Sequence, residues 1–226
     1  MESPNPSNFE NFVNNEDVEE SMKIQCELIM KKHLMGKEYD KKTAHQTGEI
    51  IIQDIYNTLS KLYPFLKFGI FFYFSEKSSF ISNNNCVINK TTDNLFLVSY
   101  HTNNFYSHVI IYSAKEKPSF PNFFEVINDN DMISHINNIM NSSLEGKNFD
   151  YDECQDLIGD ICVKVNEFLL AKNIFPFSVH LGYINKLPIK GCIFTYKFFG
   201  IDYTPFIFNY SGSDLTCKLY LFIVNF

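Results

Sequence analysis

The chain opens with two stretches in which apolar residues recur every three or four positions, the spacing of one face of an α-helix. The first stretch contains Val18, Met22, Cys26, Ile29 and Met30. The second contains Gly48, Ile51, Ile52, Ile55, Leu59 and Leu62. Thr43 and Gln46, ahead of the second stretch, have the form of a capping box, in which two side chains bind free amides at a helix start. The pattern predicts two amphipathic helices.

Beyond Pro64 the chain changes to short runs rich in Phe, Ile, Val and Tyr, separated by Asn, Thr, Ser and Asp. Such runs are typical of β-strands joined by turns. They span residues 66–74, 94–101 and 105–113, with a weaker run near 80–88. The first half of the chain is therefore expected to continue as four strands.

The second half repeats this plan. Apolar residues at helical spacing predict helices through residues 132–140 and 157–169. Asp150 with Glu153, or Asp152 with Gln155, offers a capping pair for the second of them. Four further strands are predicted, at residues 175–184, 190–200, 203–210 and 215–226. The order helix, helix, four strands thus occurs twice.

The two halves also align residue by residue. Residues 51–55 lie over 157–161 at an offset of 106 (160 − 54 = 106), and Cys86 lies over Cys192 at the same offset (192 − 86 = 106). Residues 75–77 lie over 184–186 at an offset of 109 (184 − 75 = 109). A period of this length indicates a duplicated domain and is too long for a solenoid unit.

Both faces of the predicted strands are apolar, since Phe68, Ile70 and Phe72 alternate with Phe71 and Tyr73 along one strand. Helices can cover one face of such a sheet, and a second sheet is the simplest cover for the other. We expect an α+β fold of two tandem modules, each with two helices followed by a four-stranded antiparallel sheet, packed as an intramolecular pseudo-dimer. The expected boundaries are a disordered acidic tail (1–15), module 1 (16–113), a linker (114–123) and module 2 (124–226).

Composition and charge exclude several classes of protein. With a net charge of −7 and a pI near 5.3, the chain lacks the basic surface that nucleic-acid binding needs. Its first 20 residues lack the basic-then-apolar order of a signal peptide. No apolar run approaches the roughly 18 residues of a membrane span. We expect a cytoplasmic protein with no membrane or nucleic-acid partner, whose six cysteines are small buried hydrophobes rather than disulfides.

Catalytic and metal-binding patterns are weak. The six histidines are scattered, and Cys154 and Cys162 lack a CxxC partner. Residues 128–131 faintly resemble a calcium loop but lack its Gly and its closing Glu, which favours a helix N-cap. No phosphate-binding loop or nucleophile-elbow motif occurs. We expect no enzyme, no cofactor and no metal; a small enzyme with a Cys or His site at the module interface is the alternative.

The segment that enters the third strand carries a family pattern. Cys86, Asn89, Thr92 and Asp93 match the motif of the Tctex-type dynein light chains, while Ile88 stands where that family usually has Trp. Together with the preceding helices and aromatic strand, the resemblance spans residues 16–113. In the second half only Cys192 matches the motif, so that half is assigned through the internal repeat. The chain thus resembles a tandem duplication of the Tctex-type domain.

This resemblance implies a non-catalytic adaptor, because paired Tctex-type light chains clamp an extended segment of a dynein intermediate chain. The implied partners are the intermediate chain and other dynein light chains, among them another Tctex-type chain. The implied location is the cytoplasmic cytoskeleton, with the cilium or axoneme. A structural subunit of a non-motor ciliary complex is the alternative. The resemblance leaves open which complex the chain serves and whether the two modules exchange a strand.

Partner binding is expected beside the second strand of each module. The candidate residues are Cys86, Val87, Ile88, Asn89, Asp93, Cys192, Ile193, Phe194 and Tyr196. Asp93 and the negative net charge favour a partner segment that carries Lys or Arg. Because Thr92 and Asp93 have no counterpart in the second half, the two grooves are expected to be unequal. The alternative is that both cysteines are core residues and that Asp93 holds a turn.

Overall fold

The computed structural model describes residues 15–76, 80–87, 93–115, 130–172, 177–187, 192–198 and 205–224. They form four helices and eight strands in the predicted order. These are α1 (Asn15–Leu34), α2 (Ala44–Leu62), β1 (Lys67–Glu76), β2 (Phe80–Val87), β3 (Asp93–His101), β4 (Phe105–Ala114), α3 (Asn130–Leu144), α4 (Tyr151–Ala171), β5 (Phe177–Lys186), β6 (Cys192–Phe198), β7 (Phe206–Ser211) and β8 (Leu215–Val224). The α+β class and the element order are confirmed.

The strands form two antiparallel sheets, and each half of the chain contributes one strand to the sheet of the other half. The first sheet has the order β3-β4-β1-β6 and the second the order β2-β5-β8-β7. Each sheet therefore contains three strands from one half of the chain and one edge strand from the other half. The sequence left open whether the two halves exchange a strand, and in this structure they do. Residue 114, expected to start the linker, is the last residue of β4.

Two pairs of strands, β1 with β5 and β4 with β8, lie 110 residues apart rather than 106. Strands β1 and β5 begin and end at this offset (177 − 67 = 110; 186 − 76 = 110), as do β4 and β8. Gly36 and Gly146 follow α1 and α3 at the same offset, each with φ of 72°. The difference of four residues is about one helical turn. A shift of one turn keeps the apolar face of a helix in phase. The apolar residues of the helices therefore align at an offset of 106 as well as at 110.

The helix starts differ from the predicted capping pattern in one case. Thr43 makes no side-chain capping bond to α2. Instead Asp40 organises that turn, since its carboxylate accepts hydrogen bonds from the Lys42 amide and the Thr43 hydroxyl, each at 3.0 Å. At α4 the predicted Asp150–Glu153 pair is confirmed, because the Asp150 carboxylate accepts from the Glu153 amide at 3.0 Å. The N-cap proposed at residues 128–131 falls largely outside the described residues.

Three apolar cores arrange the elements in four layers. Helices α1 and α2 pack on one face of the first sheet, and α3 and α4 pack on one face of the second. The third core lies between the sheets and is largely aromatic. Its buried members include Phe71, Tyr73, Tyr112, Tyr183, Phe198, Tyr220 and Phe222. The layers follow the order helix, sheet, sheet, helix, as the two apolar strand faces predict. Among the described residues, no helix has the length and hydropathy needed to cross a membrane.

Candidate partner-binding site

The exchanged strand β6 is held by β1 on one side and covered by α2. Thr195 of β6 pairs with Phe72 of β1 and is buried. Gly48 lets α2 approach this pair closely, because a Cβ at position 48 would lie 2.7 Å from Thr195 Oγ1 and 2.9 Å from Phe72 Cδ1. Next along β6, Lys197 Nζ donates to Gln53 Oε1 at 3.1 Å and lies 5.2 Å from the Tyr56 ring centre. A helix of the first half thus fixes a strand of the second.

The other exchanged strand, β2, makes the reciprocal contact. Its backbone pairs with β5 over its whole length, with Cys86 opposite Val179 and Val87 opposite Ser178. Helix α4 packs against it. Both exchanged strands lie at a sheet edge, so each has one backbone side with no strand beside it among the described residues.

The described residues of the predicted motif lie in two different sheets. Cys86 and Val87 lie in β2 of the second sheet, whereas Asp93 begins β3 of the first sheet, with its backbone opposite Ala114. Ile88 and Asn89 lie outside the described residues. The motif therefore spans the passage of the chain from one sheet to the other.

Cys86 and Cys192 do not occupy corresponding positions, which corrects the alignment at 106. Cys192 pairs with Ser75 at one end of β6. The residue that corresponds to Ser75 at the offset of 110 is Asn185, and Asn185 pairs with Phe80, not with Cys86. The two cysteines therefore lie at opposite ends of the two exchanged strands.

The remaining predicted residues of β6 divide between two cores. Ile193 packs against the core beneath α2. Phe194 and Tyr196 point between the sheets, where their ring centres lie 4.2 Å from Tyr220 and 5.2 Å from Phe222 respectively. These side chains anchor β6 to the second sheet.

Beside β6 lies a part of the second sheet that no described strand of the first sheet covers. Strand β6 lies over β8, and β8 pairs in turn with β7. Strand β7 therefore extends past the first sheet, and its Ile207 is 48% exposed. Asn209 and its cross-strand partner Lys218 are also exposed on this face. We call Ile207, Asn209 and Lys218 the second floor.

The first sheet has a corresponding face on β3 and β4. Leu97, which corresponds to Ile207, is 47% exposed. A hydrogen bond of 2.8 Å joins Ser99 Oγ and His108 Nδ1, and the His101 and His108 ring centres lie 5.0 Å apart. Burial, with a smaller effect of the nearby His101, lowers the pKa of His108 to about 4. We call Leu97, Ser99, His101 and His108 the first floor.

Sequence reasoning missed both floors. The alternation of apolar and polar residues in β3 and β7 identifies the two faces of each strand. It cannot show where one sheet stops covering the other. The sequence shows only that Leu97 and Ile207 are both apolar and lie 110 residues apart, and their exposure follows from the structure.

The four cysteines whose side chains the structure describes are in environments that disfavour reaction. Cys26, Cys154, Cys162 and Cys217 are buried free thiols. Burial raises the pKa of Cys26 and of Cys162 to about 12, which suppresses the reactive thiolate. In the part of the chain that the structure describes, no three His, Cys, Asp or Glu side chains come together as a metal site. A cleft of about 260 Å³ lies between α3 and β7, lined by Ile133, Asn137 and residues 206–209.

Comparison with known protein families gives a match for the first half of the chain. Residues 17–114 match the Tctex-1 family. The Tctex-1 match covers α1 to β4 almost end to end and suggests a dynein light chain, from a family of structural subunits associated with dynein and the cytoskeleton. Strand β2, within the matched segment, is the strand that joins the other sheet. The elements α3 to β8 lie beyond the Tctex-1 match. A search among curated proteins gives no match.

Proposed function

We propose that the chain is a non-catalytic dynein light chain whose two tandem Tctex-type modules, residues 16–113 and 124–226, form the light-chain pair within one polypeptide. The observation that carries this proposal is the reciprocal exchange of β2 and β6 between the sheets. The offset of 110 residues that separates β1 from β5 and β4 from β8 supports a duplication.

The exchange gives a physical reason for joining two modules in one chain. Without the second half, the first sheet would lose β6, and Phe71 and Tyr73 would face water. Each buried aromatic ring represents a transfer free energy of about 1.5–3 kcal/mol, so neither half would be stable alone. A tandem chain supplies this partner surface at high effective concentration and needs no second copy.

The proposed activity is to clamp an extended segment of a dynein intermediate chain or of a ciliary partner. An extended segment can add to a strand at the edge of a sheet, and β2 and β6 each stand at one end of a sheet. Asp93, at the start of edge strand β3, favours Lys or Arg in the partner segment. The proposed setting is a cytoplasmic or axonemal dynein complex that also contains other light chains.

Hydrogen exchange upon partner binding tests this function. The purified chain would be mixed with overlapping segments of the dynein intermediate chain of the same organism. Backbone amides of β2 or β6 should gain protection, while amides at the centre of each sheet, in β1 and β5, should not change. Failure of all these segments to bind, or protection of helical residues only, would contradict the proposed clamp.

A further inference from the structure

We propose that the second floor binds a carboxylate of the partner segment, with an apolar side chain of the same segment packed on Ile207. The occupant is an extended peptide that lies beside β6 and carries Asp or Glu two residues from the apolar side chain. This inference rests on the proposed function, because it names the chemistry of the segment that the clamp selects.

The spacing of the second floor fits a strand. Ile207 pairs with Tyr220, and Asn209 pairs with Lys218, so the two pairs are successive on one face of the sheet. Residues two apart in a strand repeat every 6.6–6.8 Å, roughly, on the same face. An extended segment laid along β7 would therefore present its residues i and i+2 to Ile207 and to Lys218.

The charge of the second floor is not neutralised within the sheet. Lys218 is exposed, and its cross-strand neighbours are Asn209 on β7 and Tyr183 on β5, neither of which carries a negative charge. No ion pair of Lys218 occurs among the described residues. Its ammonium group and the Asn209 amide can both donate hydrogen bonds to a carboxylate, the group that such a donor pair fits.

The first floor differs at the same positions. Ser99 and His108 stand where the second floor has Asn209 and Lys218. His108 is partly buried and already bonded to Ser99, and its pKa near 4 keeps its ring neutral at pH 7. Both floors therefore offer an apolar contact, Leu97 or Ile207, but only the second adds a cation at this position. Because the cation lies on the second floor alone of the two, a segment with one carboxylate would bind in one chain direction.

The test compares binding of the same intermediate chain segment to variants of the full chain by titration calorimetry. Lys218→Glu should weaken binding about tenfold and Lys218→Gln about threefold, both with a shallower salt dependence. Lys164→Glu, an equal charge change on an exposed position of α4, should leave affinity unchanged. Replacing each acidic residue of the segment by its amide should identify one whose effect disappears in Lys218→Gln.

The outcomes separate this inference from the proposed function. Tight binding by wild type that is equally tight in Lys218→Glu would overturn the carboxylate site and leave the clamp standing. Loss of affinity in Lys164→Glu equal to that in Lys218→Glu would also overturn it, since only overall charge would then matter. No binding by the wild-type chain would overturn both. Circular dichroism would confirm that each variant is folded.

Discussion

At the scale of single residues, Gly48 is a position where the exchanged strand β6 leaves little space for a side chain. A methyl group there would meet Thr195 and Phe72 at less than 3 Å. Gly48→Val should therefore lower the free energy of unfolding by about 1–3 kcal/mol, although Gly is itself a poor helix former. Urea titration measures this loss. Glu49→Ala, one position along on the exposed face of α2, is the matched control and should change stability by less than about 0.5 kcal/mol.

The stability of the folded protein should depend on pH through His108. Because the folded pKa of His108 lies near 4 and the unfolded value near 6.5, the unfolded chain binds more protons between these values. His108 should therefore make the protein progressively less stable as pH falls from about 6.5 to 4. His108→Gln should remove this contribution, so that the stability difference between variant and wild type changes across that window. A difference that stays constant with pH would show that the ring titrates normally.

At the scale of elements, the first residues of α2 and of α4 should contribute unequally to stability. Asp150 caps α4 through the Glu153 amide, whereas Thr43 makes no capping bond to α2. Asp150→Ala should therefore cost about 1 kcal/mol of stability, and Thr43→Ala less than about 0.5 kcal/mol. Thermal unfolding of both variants under the same conditions measures the contrast. Equal losses would mean that the Thr43 hydroxyl caps α2 in solution.

The elements also show how far sequence reasoning reaches. Helices and strands follow from side-chain periodicity, which is local, so their order was predictable. The exchange of β2 and β6 was not, because an edge strand has the same alternation whichever sheet it joins. The helices alone do not distinguish an offset of 106 from one of 110, because Ile51 falls on apolar Leu157 at the first offset and on apolar Ile161 at the second. Only Ile161 is fully buried, and burial is a property of the packed molecule.

At the scale of the molecule, the aromatic layer between the sheets should determine the oligomeric state of the chain. Its members come from both halves of one polypeptide, with Phe71 and Phe222 ring centres 4.8 Å apart. The chain should therefore be a monomer of 26.4 kDa in light scattering at micromolar concentration. A stable homodimer at that concentration would point to exchange between two chains instead.

A disulfide trap can show whether β6 pairs with β1 of the other half of the chain. Ser75 and Asn185 correspond at the offset of 110, and both are buried. Cys192 pairs with Ser75 in the exchanged arrangement and would pair with Asn185 if each half kept its own strand. Paired Cα atoms in antiparallel strands lie about 4.5–5.5 Å apart, within the range of a disulfide.

Ser75→Cys and Asn185→Cys would be made separately in a Cys86→Ala background, oxidised, and mapped by mass spectrometry of peptides from the monomeric fraction. Exchange predicts a link between positions 75 and 192 in the first variant and none between 185 and 192 in the second. The opposite pattern, a link from 185 to 192 and none from 75 to 192, would contradict the exchange.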